Sequence, residues 1–312
     1  MIERPDVDAL MAGELGQFLG QQVQVREDAK AKRSSRWTWS AVILLPILSF
    51  LWFAPIGDFR FFIAFAFIAG AYGWGQLPVI QAKNQTKEGI NSAIAGALGL
   101  DYARECEPGH GFDRAKRHKM FPSFDKSSVE DLWCGDMAGH AFTLREVLLE
   151  EQRGSGKNRR WVKVFRGPVI TIGGARDFLG THLLERSGKH RKFGFFGEKD
   201  ELKVDGQVLQ RADMVHPDFE DAFTLFTTDQ VEARYIVHPT YIEELIAIEV
   251  AFNGQDIATL FKDSELTIIL KTENMFESGN LDHTRDREMV EMATSQFMAM
   301  ADLCRAINAQ GR

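Results

Sequence analysis

The stretch WTWSAVILLPILSFLWFAPIGDFRFFIAFAFIAGAYGWGQLPVI, residues 37–80, decides how the rest of the chain is read. It holds two apolar runs: residues 39–56 carry no charged side chain, and residues 61–80 carry only Gln76 as a strongly polar one. A helix needs about 20 apolar residues to cross a hydrocarbon core ~30 Å thick, and each run comes close to that length. Gly57-Asp58-Phe59-Arg60 between them is long enough to turn the chain. Residues 37–80 therefore read as a transmembrane helical hairpin.

The flanks of the runs set an orientation. Trp37, Trp39, Trp52 and Trp74 stand at or near the run ends, where an indole keeps its body in apolar surroundings and its N–H near a polar partner. Lys30, Lys32, Arg33 and Arg36 precede the first run and Lys83 and Lys87 follow the second, whereas the link holds one Arg and one Asp. Cations stay on the cytoplasmic side, which predicts a two-pass membrane protein with both termini in the cytoplasm and the link outside. A signal peptide would have a shorter core nearer the N-terminus and no second run close behind. A helix in a soluble core would show a polar side.

Within the runs, Pro46 removes a backbone donor and predicts a bend near the middle of the first helix. Ala66, Ala69, Gly70, Gly73 and Gly75 let another helix approach closely, either the other arm of the hairpin or a second copy in a homo-oligomer. No ionisable side chain interrupts either run, which argues against an ion or proton path.

Composition narrows the rest. With 312 residues, the chain beyond the hairpin can bury one sizeable core. A formal charge of −7 argues against nucleic acid as partner. The three cysteines, Cys106, Cys134 and Cys304, form no paired motif, as befits a reducing compartment.

In chain order, residues 1–36 read as an amphipathic N-terminal helix, with Leu10, Leu15, Phe18 and Leu19 near one face. Residues 81–106 read as a helical stalk, with Ile90, Ile94 and Leu98 at four-residue steps beside Ala93 and Ala97. Glu107-Pro108-Gly109 breaks that helix and opens a cytoplasmic domain over residues 107–312. β-Branched and aromatic residues predict strands at residues 129–134, 140–149 and 161–172, with shorter ones at 181–186 and 202–204. Residues 153–160 form a solvated hairpin tip. Asp229 and Glu232 have capping-box spacing; Pro239 closes that helix and opens the next. Residues 257–261 and 266–270 alternate about Asp263-Ser264 as a hairpin, which Asn253-Gly254 would join to a preceding strand. Val290, Ala293, Phe297, Ala301, Cys304 and Ile307 mark one face of a closing helix. The expected fold class is α+β: a transmembrane helical hairpin, then a mainly antiparallel sheet with packed helices.

The block Phe219-Glu220-Asp221-Ala222-Phe223, continued by Asp229-Gln230-Val231-Glu232-Ala233-Arg234-Tyr235-Ile236 to Pro239, resembles a bacterial membrane-protein family catalogued as domain of unknown function 3137. The hairpin, the Phe165-Arg166-Gly167 turn and the late hairpin ending near Phe276 extend the resemblance over residues 37–280. It implies an inner-membrane protein with a cytoplasmic domain and brings no activity or catalytic residues with it.

Candidate sites are few. Cys106 with His110 and Cys134 with His140 offer zinc-type ligands at irregular spacings, so no metal or other cofactor is assigned. Arg159, Arg160 and Trp161 at the hairpin tip are candidates for contact with an anionic leaflet. So are Lys189, Arg191, Lys192, Phe195 and Phe196 in a basic-aromatic loop, and Trp37, Trp39, Trp52 and Trp74 belong with them as anchors. Asp229, Glu232 and Arg234 are read as a helix cap with a local ion pair rather than an acid–base group. His216 and His238, each beside a proline, are read as turn residues. Neither a phosphate-binding glycine loop nor a nucleophile elbow is present. The expected function is a membrane-tethered, non-enzymatic interaction or regulatory domain, with the lipid bilayer and a membrane or cytoplasmic protein as partners. The alternative is a small-ligand or enzymatic domain whose pocket lies between sheet and helices, where His140, His182 and Arg234 would converge.

Overall fold

The computed structural model describes residues 6–55, 57–174, 177–190, 199–213, 222–273, 275 and 281–309. The chain divides into two compact units, one built on residues 6–93 with 277–290, the other on residues 94–276 with 291–312.

The first unit is a pair of long helices. After the short α1 (Val7–Ala12) and a break at Gly13, α2 runs from Glu14 to Phe53 without interruption. The lead-in helix and the first apolar run are thus one element, and Pro46 lies inside it. α3 runs from Phe59 to Leu98 and likewise carries a proline, Pro78. Both helices are long and apolar enough to cross a membrane.

Contacts between α2 and α3 show antiparallel pairing. Phe18 meets Gly89, Arg26 Nε donates to Thr86 Oγ1 at 3.4 Å, and the Trp37 ring stacks on Tyr72 at 6.0 Å. Gly75 lies under Trp37 so closely that a Cβ would overlap the indole. Of the small residues of the second run, Gly75 thus faces the hairpin's own first arm, whereas a Cβ at Gly70 or Gly73 would meet nothing within 4 Å among the described residues. Away from the apolar runs the pair has a core: Leu15, Leu19, Ala29, Ala82 and Ile90 are buried, joined by Val79 at the end of the second run. Arg26 is buried with them, and its Nη1 lies 3.0 Å from Asp286.

The second unit holds one antiparallel sheet. Its ten described strands are β1 (Leu100–Glu105), β2 (Lys126–Met137), β3 (His140–Arg153), β4 (Arg160–Gly173), β5 (His182–Arg186), β6 (Glu201–Val204), β7 (Gln207–Ala212), β8 (Phe223–Thr227), β9 (Gln255–Lys262) and β10 (Glu265–Lys271). Their spatial order is β1-β2-β3-β4-β10-β9-β5-β8-β7-β6. The β9–β10 hairpin thus sits in the middle of the sheet, between the β1–β4 meander and the remaining strands.

Alternation puts Val147, Leu149, Phe165, Val169, Leu183, Phe226, Leu260 and Ile269 on one face, which α4 (His110–Arg117) and the following Met120 and Phe121 cover. The other face carries Phe142, Leu144, Ile170, Leu184, Leu225 and Phe261. There Tyr241, on α6 (Pro239–Ala251), meets Phe261 at 5.2 Å between ring centres. Phe297, on α7 (Asp286–Ala309), meets Trp133 at 4.5 Å. Helices thus cover both faces, and the α+β class with a large antiparallel sheet holds.

Several elements differ from the sequence reading. Residues 100–105, read as stalk, form the edge strand β1, because Tyr102 pairs opposite Trp133 and buries part of its ring there. Residues 110–117, for which no element is expected above, form α4. Only Gly111, Phe112 and Ala115 of that helix are buried, so its apolar signal is short. No strand precedes Asn253-Gly254; α6 does, and Asn253 takes a left-handed φ of 46° just beyond it. Phe219, Glu220 and Asp221 of the resembling block, and Phe276, lie outside the described residues.

Candidate functional site

The block that carries the resemblance folds around a buried ion pair. Asp229 caps α5 (Gln230–Ile236) by accepting from Val231 N at 2.9 Å and Glu232 N at 3.0 Å. Glu232 does not complete a capping box, because Asp229 N donates to Thr227 Oγ1 instead. The Glu232 carboxylate turns toward the sheet and accepts from Leu179 N at 3.0 Å, Gly180 N at 2.7 Å and His182 Nε2 at 2.9 Å. Burial alone would raise this carboxyl, but the Leu179 N–H, the His182 ring and the Gly180 N–H outweigh it and hold it below the usual range. His182 is fully buried, and its Nδ1 lies 2.7 Å from Thr227 Oγ1. The local pairing of Glu232 with Arg234 expected from sequence is replaced by this contact, and Arg234 is exposed.

His182, His140 and Arg234 do not converge. His140 Nδ1 bonds the Gly173 carbonyl at the end of β4, while His182 sits on β5. Three strands, β4, β10 and β9, separate their strands, which at ~4.8 Å per strand places them about 19 Å apart. The cysteine–histidine set does not assemble either. Cys134 pairs opposite Thr143 within the sheet, while His110 reaches Glu265 at 2.9 Å. Cys106 lies among Arg145, Asp131 and Glu130, where burial raises its thiol. His238 caps α6, accepting from Tyr241 N at 3.4 Å, and His216 lies outside the described residues.

Two further groupings have chemical potential. The first is a cavity of about 370 Å³ on the α4 face. Met120, Phe121, Phe165 and Ile269 supply apolar walls, and Lys119, Lys189 and Lys271 supply cations. Glu185, only 2% exposed, is held there by His190 at 2.7 Å and Lys189 at 3.7 Å.

The second lies at the bulge of β2, where pairing with β3 shifts between Glu130 and Trp133. Asp131 is fully buried with a φ of 56° and accepts from Tyr102 Oη at 2.6 Å. Glu146, opposite Glu130 on β3, is 1% exposed. Arg166 Nε donates to Glu146 Oε1 at 2.7 Å, and Arg166 Nη2 to Glu130 at 3.4 Å. Burial nevertheless outweighs the guanidinium and pushes the Glu146 carboxyl up to about 7. Sequence reading missed this cluster, since residues from four strands meet only through sheet register. The dipeptide Glu130-Asp131 between Val129 and Leu132-Trp133 is the one signal it leaves.

The membrane-contact candidates divide. Trp37, Trp39, Trp52 and Trp74 are all exposed on the helical hairpin. Arg33 lies 5.4 Å over the Trp37 ring, Arg36 4.9 Å over Trp74 and Arg60 5.2 Å over Trp52. In the sheet unit, Arg159, Arg160 and Trp161 are exposed at the start of β4. Lys189 turns onto Glu185 instead of projecting outward. Arg191, Lys192, Phe195 and Phe196 lie outside the described residues.

Comparison with known proteins adds a family and little more. Residues 163–308 match a family model described as "Protein of unknown function (DUF3137)". The match starts within β4 and runs into α7, so it lies beyond the apolar hairpin and extends past residue 280, unlike the span inferred from sequence. No curated protein sequence matches the chain. A crystal structure of the mycobacterial trehalose monomycolate transport factor A, TtfA, is similar over 69% of this chain and 93% of that chain, with 14% identity and a TM-score of 0.32. A likeness at that score supports no argument about fold or function. Over residues 163–308 the chain is similar to the DUF3137 family of proteins of unknown function.

Proposed function

We propose that the chain is a two-pass protein of the bacterial inner membrane whose α+β unit works in the cytoplasm as a binding or regulatory domain. One observation carries this reading. The most apolar window of α2 has none of its residues buried, and Phe50, Phe53 and Phe62 are 76%, 85% and 72% exposed. Burying a large apolar side chain is worth roughly 1.5–3 kcal/mol, so a row of them left in water is costly, and lipid removes the cost. Residues 37–53 of α2 and 59–80 of α3 rise about 24 and 32 Å, near the thickness of a bilayer core. Arginines over tryptophans at both ends of these runs suit the headgroup zones.

The test is membrane extraction combined with topology reporters. The protein should stay with membranes through alkaline carbonate washing, and a C-terminal fusion to alkaline phosphatase should be inactive while a fluorescent-protein fusion is bright. Release by carbonate, or an active phosphatase fusion, would refute the anchoring or the orientation respectively. Crosslinking in intact membranes should return a reproducible protein partner, and a partnerless protein would refute the interaction role.

A second reading, a small-ligand domain, is favoured by the cavity between the sheet and residues 119–122 after α4, with its three lysines. Filling it by Val164→Trp should leave the fold intact and abolish any small-molecule stabilisation found by thermal shift. Stabilisation that survives the filling would place the ligand elsewhere.

A further inference from the structure

We propose that Glu130, Asp131 and Glu146 bind one hard divalent cation, of the Mg²⁺, Mn²⁺ or Ca²⁺ class, at the β2 bulge. This inference concerns the sheet unit alone and does not depend on membrane anchoring.

Three observations support the site. One carboxylate oxygen from each residue lies within 4.8 Å of the other two. Oxygens bound to one such ion at ~2.0–2.6 Å span at most about 4–5 Å, so a small contraction brings all three into contact with it. The second observation is independent of that clustering: Glu146 Oε2 is buried and has no hydrogen-bond partner among the described residues. Its sister oxygen is fully engaged, accepting from Arg166 Nε at 2.7 Å and Met275 N at 3.3 Å. An orphaned carboxylate oxygen 1% exposed to solvent is an expensive feature unless something positive meets it.

The third is charge. Three carboxylates gather here; Arg166 bonds Glu146 and Glu130 on one side, and Arg145 lies nearby beside Cys106. Carboxylates outnumber the two guanidiniums, an excess that suits a cation. The donor set fits: all three donors are carboxylate oxygens, which suit hard cations and not zinc-type sites built on sulfur and imidazole. Glu130 is half exposed at the strand edge, which gives an ion a way in and leaves room for water ligands. Tyr102 Oη, 2.6 Å from Asp131 Oδ1, fixes the orientation of the buried carboxylate.

The competing description is an ion pair network in which arginine side chains alone balance the carboxylates, and the experiment separates the two. The full chain is purified in a neutral detergent, stripped with EDTA and titrated with Mn²⁺, with loss of the free-ion electron paramagnetic resonance signal as readout. One ion should bind per chain with a Kd below roughly 1 mM, and Mg²⁺ or Ca²⁺ should displace it. Glu146→Gln should weaken binding by about tenfold or more, while Glu265→Gln, remote from the bulge, should not. Because Glu146 is buried, Glu130→Gln serves as a second variant at a position where folding is not at risk; it should weaken binding several-fold. Mn²⁺ should also raise the Tm of the wild-type protein but not that of Glu146→Gln. Substoichiometric binding at millimolar Mn²⁺, or Kd and Tm responses unchanged in both variants, would overturn the proposal.

Discussion

His182 Nε2 lies 2.9 Å from Glu232 Oε2, and the pair joins the first turn of α5 to strand β5 at the centre of the DUF3137 region. Removing one partner of a buried pair strands the other, at a cost of about 3–5 kcal/mol. Glu232→Ala also leaves the Leu179 and Gly180 N–H groups without their acceptor. Urea denaturation should therefore show a loss of at least ~3 kcal/mol for either Glu232→Ala or His182→Ala. The double variant should cost less than the sum of the two. Strict additivity would mean that the residues act separately.

The same carboxylate sets a pH dependence. The folded protein holds Glu232 below its ordinary value, so its contribution is present in full above the unfolded value, near ~4.3. That contribution is lost as pH falls through the folded value. Stability curves of the wild type and Glu232→Gln should run parallel near neutrality and converge as pH drops below ~4. A gap that stays constant down to pH 3 would show that Glu232 titrates normally.

In the helical unit, Arg26 is 1% exposed and paired with Asp286. Burial outweighs the guanidinium and keeps the Asp286 carboxyl above its usual range, the mark of a pair whose desolvation is barely compensated. Asp286→Ala should destabilise by about 3–5 kcal/mol, whereas the double change Arg26→Met, Asp286→Leu should be close to neutral. Thermal unfolding in detergent checks both, and equal losses for single and double variants would contradict the pairing.

How much of this could be read from the sequence depended on whether the signal was local. The apolar runs, the strands at 140–149 and 161–172 and the β9–β10 hairpin announce themselves by composition and period. So do the Asp229 cap and the Pro239 helix start, which depend on neighbours within one turn. Glu232 had two local explanations and used neither, because its partner lies fifty residues earlier and only sheet order brings it near. The placement of β9 and β10 at the centre of the sheet, and with it the distance between His140 and His182, is a property of topology that no periodicity encodes. Arg26 sat unremarked in a lead-in helix because nothing near it in sequence reveals Asp286. The bulge cluster was missed for the same reason, since Glu146 and Arg166 reach Glu130 and Asp131 from other strands of the meander.

Gly167 provides the last prediction, and it tests whether the Phe165-Arg166-Gly167 motif reflects backbone geometry or packing. Its φ is +153°, inside the range that side chains avoid, and a Cβ there would run into the Leu270 carbonyl of β10. Backbone, unlike a flexible side chain, cannot step aside. The neighbouring Arg166 carbonyl accepts from Thr272 N at 2.7 Å, so the two strands are pinned together where the clash occurs. Arg166 is also the residue that bonds Glu146, so a shift of β4 would disturb the bulge cluster directly. Gly167→Ala should therefore cost about 3 kcal/mol or more, combining left-handed strain with overpacking. Gly206→Ala at the β6–β7 turn supplies the control: its φ is +73° but a Cβ there meets nothing within 4 Å, so only the strain of about 1 kcal/mol remains. Equal losses at the two glycines would show that conformation alone, and not the approach of β10, makes Gly167 necessary.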